Sequence, residues 1–91
     1  MDDLFGEKSL EQKMKELAGR LKVYRKKKHI TQLELSDISS VPYGTIKLFE
    51  RTGKISLESL WMLCMALECD DQLETLFTAP MLTADDVRNG R

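Results

Sequence analysis

Two capping-box patterns set where helices can begin in this chain, and they constrain its fold more than any other feature. Ser9 is followed three residues later by Gln12, and Thr31 is followed by Glu34. In such a pair the Ser or Thr side chain accepts a hydrogen bond from a first-turn amide, and the Gln or Glu side chain accepts one from the cap amide. Apolar residues follow each pair at intervals of three and four, which is the repeat of an amphipathic helix. The pattern predicts a helical chain.

The first two helices follow directly from these caps. After Ser9 the first helix is expected to run to about Lys28, and after Thr31 a helix of about two turns is expected to end at Ser39 and Ser40. Residues three or four positions apart share one face of a helix. The residues expected to face the core are Leu10, Met14, Leu17, Leu21 and Tyr24 in the first helix and Leu35, Ile38 and Val41 in the second.

Three further helices are expected in the rest of the chain. Pro42 has no amide hydrogen and fits a helix start, so a third helix should run from there to about Arg51. Ser56 and Asp70 can cap a fourth and a short fifth helix, and Pro80 interrupts any regular structure. No alternating strand pattern of useful length appears, so the fold class is all-α, a five-helix bundle. The inward residues are expected to be Ile46 and Phe49, then Leu57, Leu60, Trp61, Cys64 and Leu67, and finally Leu73, Leu76 and Phe77.

The length of the chain, 91 residues, allows one domain, because domains contain roughly 100 to 200 residues. We expect residues 1–78 to form it, with residues 1–8 loosely ordered. Residues 79–91 are expected to be a short tail, where Thr83 and Asp86 could cap a short helix or a dimer contact could lie. The longest nearly uncharged stretch, 59–67, is far shorter than the ~20 residues of a membrane span, and the N-terminus lacks the features of a signal peptide. A cytoplasmic location without membrane contact is expected.

The sequence contains few candidate residues for enzymatic catalysis or metal binding. Cys64 and Cys69 are five positions apart, which on a continuous helix separates their side chains by about 140°. They are therefore expected neither to share a metal ion nor to form a disulfide, and His29 is the only histidine. No phosphate-binding glycine loop, nucleophile elbow or metalloprotease motif is present. The protein is expected not to be an enzyme and to use no cofactor or metal.

Charge is unevenly distributed along the chain. The net charge is −1, but residues 1–54 carry 12 Lys and Arg against 8 Asp and Glu, whereas residues 55–91 carry 2 against 7. Within the first part, the segment 20–28 holds six basic residues and no acidic one. Such a segment attracts a polyanion, although a solvated helix face has the same composition. Charge alone leaves both interpretations open.

The segment TQLELSDISSVPYGTIKLFERTG, with the later helix SLESLWMLCMALE, carries a family resemblance. A short helix, a tight turn and a second short helix follow one another, with Gln32 at the start and the small Ser36 where the helices cross. This arrangement resembles the lambda-repressor-like (XRE-type) helix-turn-helix regulators over about residues 17–77. The resemblance implies that residues 1–78 are a DNA-binding domain of that five-helix fold.

Three positions depart from the family pattern. Ser40 stands where glycine is usual in the turn, so it must adopt a left-handed or strained backbone at a cost of ~1 kcal/mol. Pro42 replaces the usual Ser or Thr cap of the third helix, and Leu33 replaces a polar residue on the outer face of the second. None of these departures removes a charge that could face DNA.

The resemblance implies that the third helix, at about residues 42–51, enters the major groove of double-stranded DNA, where each base pair shows a distinct set of donors and acceptors. Ile46 and Phe49 are assigned to the core by their spacing. The base-contacting candidates are the outward residues Tyr43, Gly44, Thr45, Lys47 and Leu48. The phosphate-contacting candidates are Lys28, Thr31, Gln32, Arg51, Thr52 and Lys54, while Lys26 and Lys27 fit a solvated face equally well.

Arg25 has two possible roles. In this family the arginine seven positions before the glutamine of the second helix commonly pairs with the glutamate after the inward residue of the third, here Glu50. The resemblance therefore implies a structural ion pair, and direct phosphate contact by Arg25 is the alternative. A half-buried guanidinium suits a bidentate carboxylate.

On the fourth helix, Met62 and Met65 stand where the family usually has polar residues, and with Trp61 beside them they form a broad apolar group. They could widen the core, form a homodimer contact or bind a different protein. The function expected from the resemblance is a sequence-specific regulator, a homodimeric repressor acting on a pseudo-palindromic operator. The alternative is a HipB-type antitoxin that represses its own operon and binds a kinase toxin. A third hypothesis, favoured by the net negative charge, is a scaffold that has lost DNA binding.

Overall fold

The structure is a computed structural model that describes residues 8–79. Over this range the chain forms five α-helices and no strand, which confirms the all-α prediction; the expected tail beyond Ala79 lies outside the described residues. None of these helices combines the length and the apolar character needed to cross a membrane. The helices are α1 (Leu10–Lys27), α2 (Gln32–Ser39), α3 (Tyr43–Thr52), α4 (Leu57–Ala66) and α5 (Asp71–Glu74).

Both predicted capping boxes are present. The Ser9 hydroxyl accepts from the Gln12 amide at 3.2 Å, and the Gln12 side chain accepts from the Ser9 amide at 2.9 Å. Thr31 and Glu34 repeat the pair, with the corresponding distances 3.1 and 2.9 Å. The hydrogen bonds from the Thr31 backbone and then from its hydroxyl lower the pKa of Glu34. These boxes fix the first residues of α1 and α2.

Helices α1 and α4 end in the same way. At each end a non-glycine residue adopts a left-handed backbone: His29 with φ 57° and Glu68 with φ 59°. After α4, the Cys69 amide donates to the Cys64 carbonyl at 2.8 Å, which is the Schellman pattern that turns the chain back on the helix. The 140° separation predicted for the two cysteines is therefore wrong, because Cys69 lies beyond the helix end. Their side chains affect one another's pKa.

In the core, α3 packs against both α1 and α2, and α2 also packs against α4. Ile46 and Phe49 of α3 are fully buried, as predicted from their spacing. Leu63, which the sequence analysis did not assign inward, is also fully buried. The largest buried side chains are Phe49, Leu35, Ile46, Leu63, Leu67 and Val41.

Several residues predicted to face inward are exposed instead. On α1 the predicted Leu21 is buried, but the other buried residues are Ala18 and Arg25, each one position beyond the predicted Leu17 and Tyr24, because the small Ala18 permits close packing against α3. Helix α5 makes a single turn, too short to bury three residues on one face. The predicted inward residues that are exposed are Leu10, Leu17, Tyr24, Ile38, Leu57, Leu76 and Phe77.

Candidate nucleic-acid interface

The turn between α2 and α3 is held by serine side chains. Ser40 has φ 65°, the left-handed backbone expected of it, and its amide donates to the Ser36 carbonyl at 2.9 Å. The Ser36 hydroxyl donates to the Val41 carbonyl at 2.6 Å, and the Ser39 hydroxyl accepts from the Val41 amide at 3.1 Å. Val41 itself is buried in the core. Pro42 precedes α3 without a side-chain cap. Hydrogen bonds and the burial of Val41 together fix the conformation of the turn.

Helix α3 presents a continuous outward face. Tyr43, Gly44, Lys47 and Leu48 are exposed, and Thr45 is half-buried. Ile46 and Phe49, three positions apart on the opposite face, are fully buried. The Lys47 ammonium lies 5.2 Å from the centre of the Tyr43 ring, a distance at which the ring attracts the cation. All five base-contacting candidates therefore belong to one helix, four of them exposed.

A buried polar network joins α1, α2 and α3. Arg25 donates to both carboxylate oxygens of Glu50, from Nε at 2.8 Å and from Nη2 at 2.9 Å, and its Nη1 donates to the Ile30 carbonyl at 2.9 Å. The Gln32 amide nitrogen donates to the same Glu50 at 2.9 Å. The side chains of Arg25 and Glu50 are only 8% and 4% exposed. Arg25 is therefore occupied within the protein and is not placed to contact a phosphate.

The network also sets the charge of Glu50. Burial by itself raises the pKa of this carboxyl, but the hydrogen bonds from Arg25 and Gln32 and the positive charges of Arg25 and Lys22 outweigh it. The pKa of Glu50 consequently lies below its ordinary value. Arg25 belongs to α1, Gln32 to α2 and Glu50 to α3. The network therefore holds α3 in one orientation relative to the other two helices.

The phosphate-contacting candidates fall into two groups. Lys28, Arg51 and Lys54 are exposed. The others already have partners within the protein: Thr31 in its capping box, Gln32 in the network, and Thr52, whose hydroxyl donates to the Leu48 carbonyl at 2.7 Å. The Glu34 carboxylate also lies at the start of α2, where it offsets the positive end of the helix dipole. The exposed cations are the stronger candidates for backbone contact.

The three residues of the apolar group on α4 differ in their exposure to solvent. Met65 is 58% exposed, Trp61 and Met62 are half-buried, and Met62 packs against the core. A separate apolar groove, which the sequence analysis missed, lies between α1, α4 and α5, with both cysteines in its lining. Its only sequence signal is the excess of apolar residues on α1 and α5 over those the core can bury.

The cysteines do not form a metal site within residues 8–79. No group of three or more candidate metal ligands occurs in this range. Burial, and then the neighbouring Cys69, raises the pKa of the Cys64 thiol to about 12, and burial also raises that of Cys69. Both thiols are free and largely shielded from solvent, so they behave as small apolar core residues.

Comparison with known proteins adds no assignment to this geometry. No protein family model matches the chain, and no curated protein matches it. The candidate interface therefore depends on three observations: the pinned turn, the exposed face of α3 and the buried network behind it.

Proposed function

We propose that the protein is a sequence-specific double-stranded DNA-binding transcriptional regulator of the lambda-repressor-like type, acting as a homodimeric repressor. The single observation that carries the proposal is the combination of an exposed α3 face with the buried Arg25–Glu50–Gln32 network behind it. A buried ion pair contributes little net stability, so its value lies in specifying one geometry. A helix that must fit the major groove needs such a fixed angle.

The outward side chains of α3 suit the edges of base pairs. Lys47 can donate to guanine O6 and N7 or to a phosphate, and Thr45 can donate to or accept from a base edge. Tyr43 and Leu48 can pack against thymine methyl groups, and Gly44 permits close approach of the helix. The helix N-terminus should enter the groove first, because no acidic side chain stands in the first turn of α3.

Contacts to the DNA backbone are proposed for the exposed cations beside α2 and α3. Lys28 follows α1, Arg51 lies in the last turn of α3, and Lys54 follows that helix. Phosphate contacts orient a protein on the duplex without carrying sequence information. The excess of basic residues in 1–54 supplies the attraction, while the acidic part of the chain belongs on the side away from DNA.

The deciding experiment is selection of bound duplexes from a random library, followed by affinity measurements on the selected site. Lys47→Ala and Tyr43→Ala should each weaken binding to that site, since a base contact is worth ~1 to 3 kcal/mol of discrimination. Lys15→Ala removes the same charge from an exposed position of α1 and is the matched control. Unchanged affinity in both α3 variants would remove this helix from the groove.

Backbone contacts predict a different response. Lys54→Ala should weaken binding to the selected site and to random duplex about equally, and should reduce the salt dependence of both. Gln32→Ala is less informative because it also removes a hydrogen bond to the buried Glu50. Failure to bind any duplex at low salt would favour the scaffold hypothesis.

The second candidate function is an antitoxin that represses its own operon and binds a kinase toxin. The observation that favours it is the apolar surface away from α3, which includes the exposed Leu57, Leu76 and Phe77. A toxin-like gene beside this one, with inhibition of its product by the purified protein, would support this candidate. DNA binding through α3 is common to both.

A further inference from the structure

An open apolar groove of about 570 Å³ lies between α1, α4 and α5. Pockets that bind small molecules have volumes of about 300 to 1,000 Å³, so the groove is of a size to hold one. None of its lining residues belongs to α2 or α3. A molecule in the groove would therefore leave the exposed face of α3 open.

Most of the groove lining is apolar. Nine of the twelve lining residues are leucine, valine or cysteine. Leu17 of α1 and Leu57 of α4 are exposed and Leu60 is half-buried, so this lining is in contact with solvent. The α1 wall from Leu17 to Tyr24 is about 10 Å long, because a helix rises about 1.5 Å per residue. A wall of this length and composition suits an unbranched aliphatic chain of medium length.

The other three lining residues, Arg20, Tyr24 and Gln72, form a polar cluster. Arg20 and Tyr24 are four positions apart on α1, so their side chains are neighbours on one face of the helix. The Gln72 amide nitrogen donates to the Tyr24 hydroxyl oxygen at 2.5 Å, which leaves the hydroxyl hydrogen of Tyr24 free to donate in turn. The cluster thus offers a guanidinium and a hydroxyl donor beside the apolar lining.

The charge of the lining indicates an anion. Arg20 is the one charged residue among the lining residues that the structure describes, and it is exposed. Within residues 8–79 no carboxylate lies within ion-pair distance of it, in contrast to Arg25, which is paired with Glu50. A guanidinium binds a carboxylate through two parallel hydrogen bonds. The groove therefore combines a place for a carboxylate with a place for an aliphatic chain.

We propose that the groove between α1, α4 and α5 binds a small aliphatic carboxylate of the medium-chain fatty-acid class. Arg20 and Tyr24 donate hydrogen bonds to the carboxylate, and the aliphatic chain lies along Leu17, Leu57 and Leu60. A few polar groups in an apolar pocket fix the orientation of such a ligand, while the apolar lining supplies its burial. The site goes beyond the proposed function and does not depend on it, because α3 takes no part in it.

The first test is a calorimetric titration of the purified full chain with octanoate, in the absence of DNA. One octanoate should bind per chain and saturate the site. Octanol has the same chain length without the carboxylate, so it should bind at least about tenfold more weakly. Octyltrimethylammonium, in which the charge is reversed, should not bind.

The second test removes the guanidinium. Arg20→Gln should weaken octanoate binding at least about tenfold and leave octanol binding unchanged, whereas Arg20→Lys should retain part of the affinity for octanoate. Arg20 is exposed, so the variants should keep the helical circular dichroism spectrum and melting temperature of the wild type. Lys13→Gln is the matched control, because Lys13 is an exposed cation of α1 outside the lining. Its affinity for octanoate should equal that of the wild type.

The third test changes the apolar lining. Leu57→Gln should weaken octanoate and octanol by the same factor, because both bury the same chain against it. Met65→Gln is the matched control, since Met65 is 58% exposed and Leu57 65%, but Met65 lies in a different pocket, beside Ile38. This control should bind both molecules as the wild type does.

The outcomes separate this site from other uses of the groove and from the proposed function. Absence of octanoate binding in the millimolar range, equal binding of octanol, or unchanged affinity in Arg20→Gln would each overturn the proposal. Capture of the chain by phosphatidylglycerol vesicles without binding of free octanoate would assign the surface to a membrane instead. Loss of octanoate binding as the protein concentration rises would assign it to a second copy. A protein that binds octanoate as described but binds no duplex retains this site and loses the proposed function.

Discussion

Arg25 shows how one side chain can organise three helices. Its guanidinium meets the carboxylate of Glu50 with two hydrogen bonds and the carbonyl of Ile30 with a third, all between 2.8 and 2.9 Å. The guanidinium has a rigid planar fork, so this set of partners defines one orientation rather than a range of them. Ile30 is also the residue whose amide closes the turn after α1 by donating to the Arg25 carbonyl. Lysine could not replace arginine in this arrangement.

Removing either partner of the pair should be costly. Arg25→Met and Glu50→Gln are each expected to lower the free energy of unfolding by about 3 kcal/mol or more, because a buried charge is left without its partner. Arg25→Met/Glu50→Leu should recover part of that loss. Glu11→Gln, which breaks the exposed pair with Lys15, is the control and should cost under ~1 kcal/mol. Urea titrations measure all four; an Arg25→Met variant with unchanged stability but weaker DNA binding would favour the phosphate-contact alternative.

The pair also predicts the acid sensitivity of the fold. The pKa of Glu50 in the folded protein lies below the ordinary value of 4.5, so its contribution to stability is complete above that value and is lost as the pH falls through the folded pKa. The wild-type protein should therefore lose more stability between about pH 6 and about pH 3 than Glu50→Gln does. Glu11→Gln is the control, because it removes a carboxylate from an exposed pair with Lys15. Equal slopes for the wild type and Glu50→Gln would contradict the ionised buried pair.

At the scale of elements, the link from α2 to α3 is short and strained at one position. Ser40 has φ 65°, a region that costs a non-glycine residue roughly 1 to 2 kcal/mol. The strain is tolerated because Ser36, Ser39 and the buried Val41 hold the turn from both sides. The strain at Ser40 lowers the stability of the fold, so a substitution that relieves it should stabilise the protein.

Ser40→Gly should stabilise the protein. Relief of the left-handed strain should exceed the extra flexibility of glycine in the unfolded chain, for a net gain of about 0.5 to 1 kcal/mol and a higher melting temperature. Ser40→Ala keeps the strained backbone and should give no gain. A lower melting temperature for Ser40→Gly would mean that the serine side chain contributes more than its backbone costs.

Across the whole molecule, the packing of α1 against α3 depends on a residue without a side chain. Gly53 follows α3 with φ 83°, and a β-carbon placed on it would lie 2.5 Å from the Met14 carbonyl carbon. The end of α3 thus packs directly on the backbone of α1. The contact helps to fix which side of α1 is buried.

Gly53→Ala should consequently destabilise the fold by about 2 to 4 kcal/mol, from the left-handed backbone together with the collision at Met14. Gly19→Ala is the matched control, because no atom lies within 4 Å of an added β-carbon there. Gly19 is inside α1, so its replacement should instead raise stability by ~0.5 to 1 kcal/mol. Thermal melts of the two variants should move in opposite directions, and a harmless Gly53→Ala would show that α1 and α3 can separate freely.

Features carried by neighbouring residues could be predicted from the sequence. The capping boxes at Ser9 and Thr31 and the inward positions of Ile46 and Phe49 depend on spacing within a few positions. Such short-range effects are present in the sequence itself. They were sufficient to predict an all-α chain and the outward face of α3.

The tertiary structure alone decided which of two neighbouring stripes of α1 is buried. Leu21 has helical spacing both with the predicted Leu17 and Tyr24 and with Ala18 and Arg25, so periodicity does not choose between the two sides. Packing density does, because small Ala18 and bare Gly53 let α3 approach that side. The larger stripe was then left exposed beside α5, and a left-handed turn brought Cys64 and Cys69 together. Contacts between residues far apart in sequence determined these features, which is why spacing along one helix could not predict them.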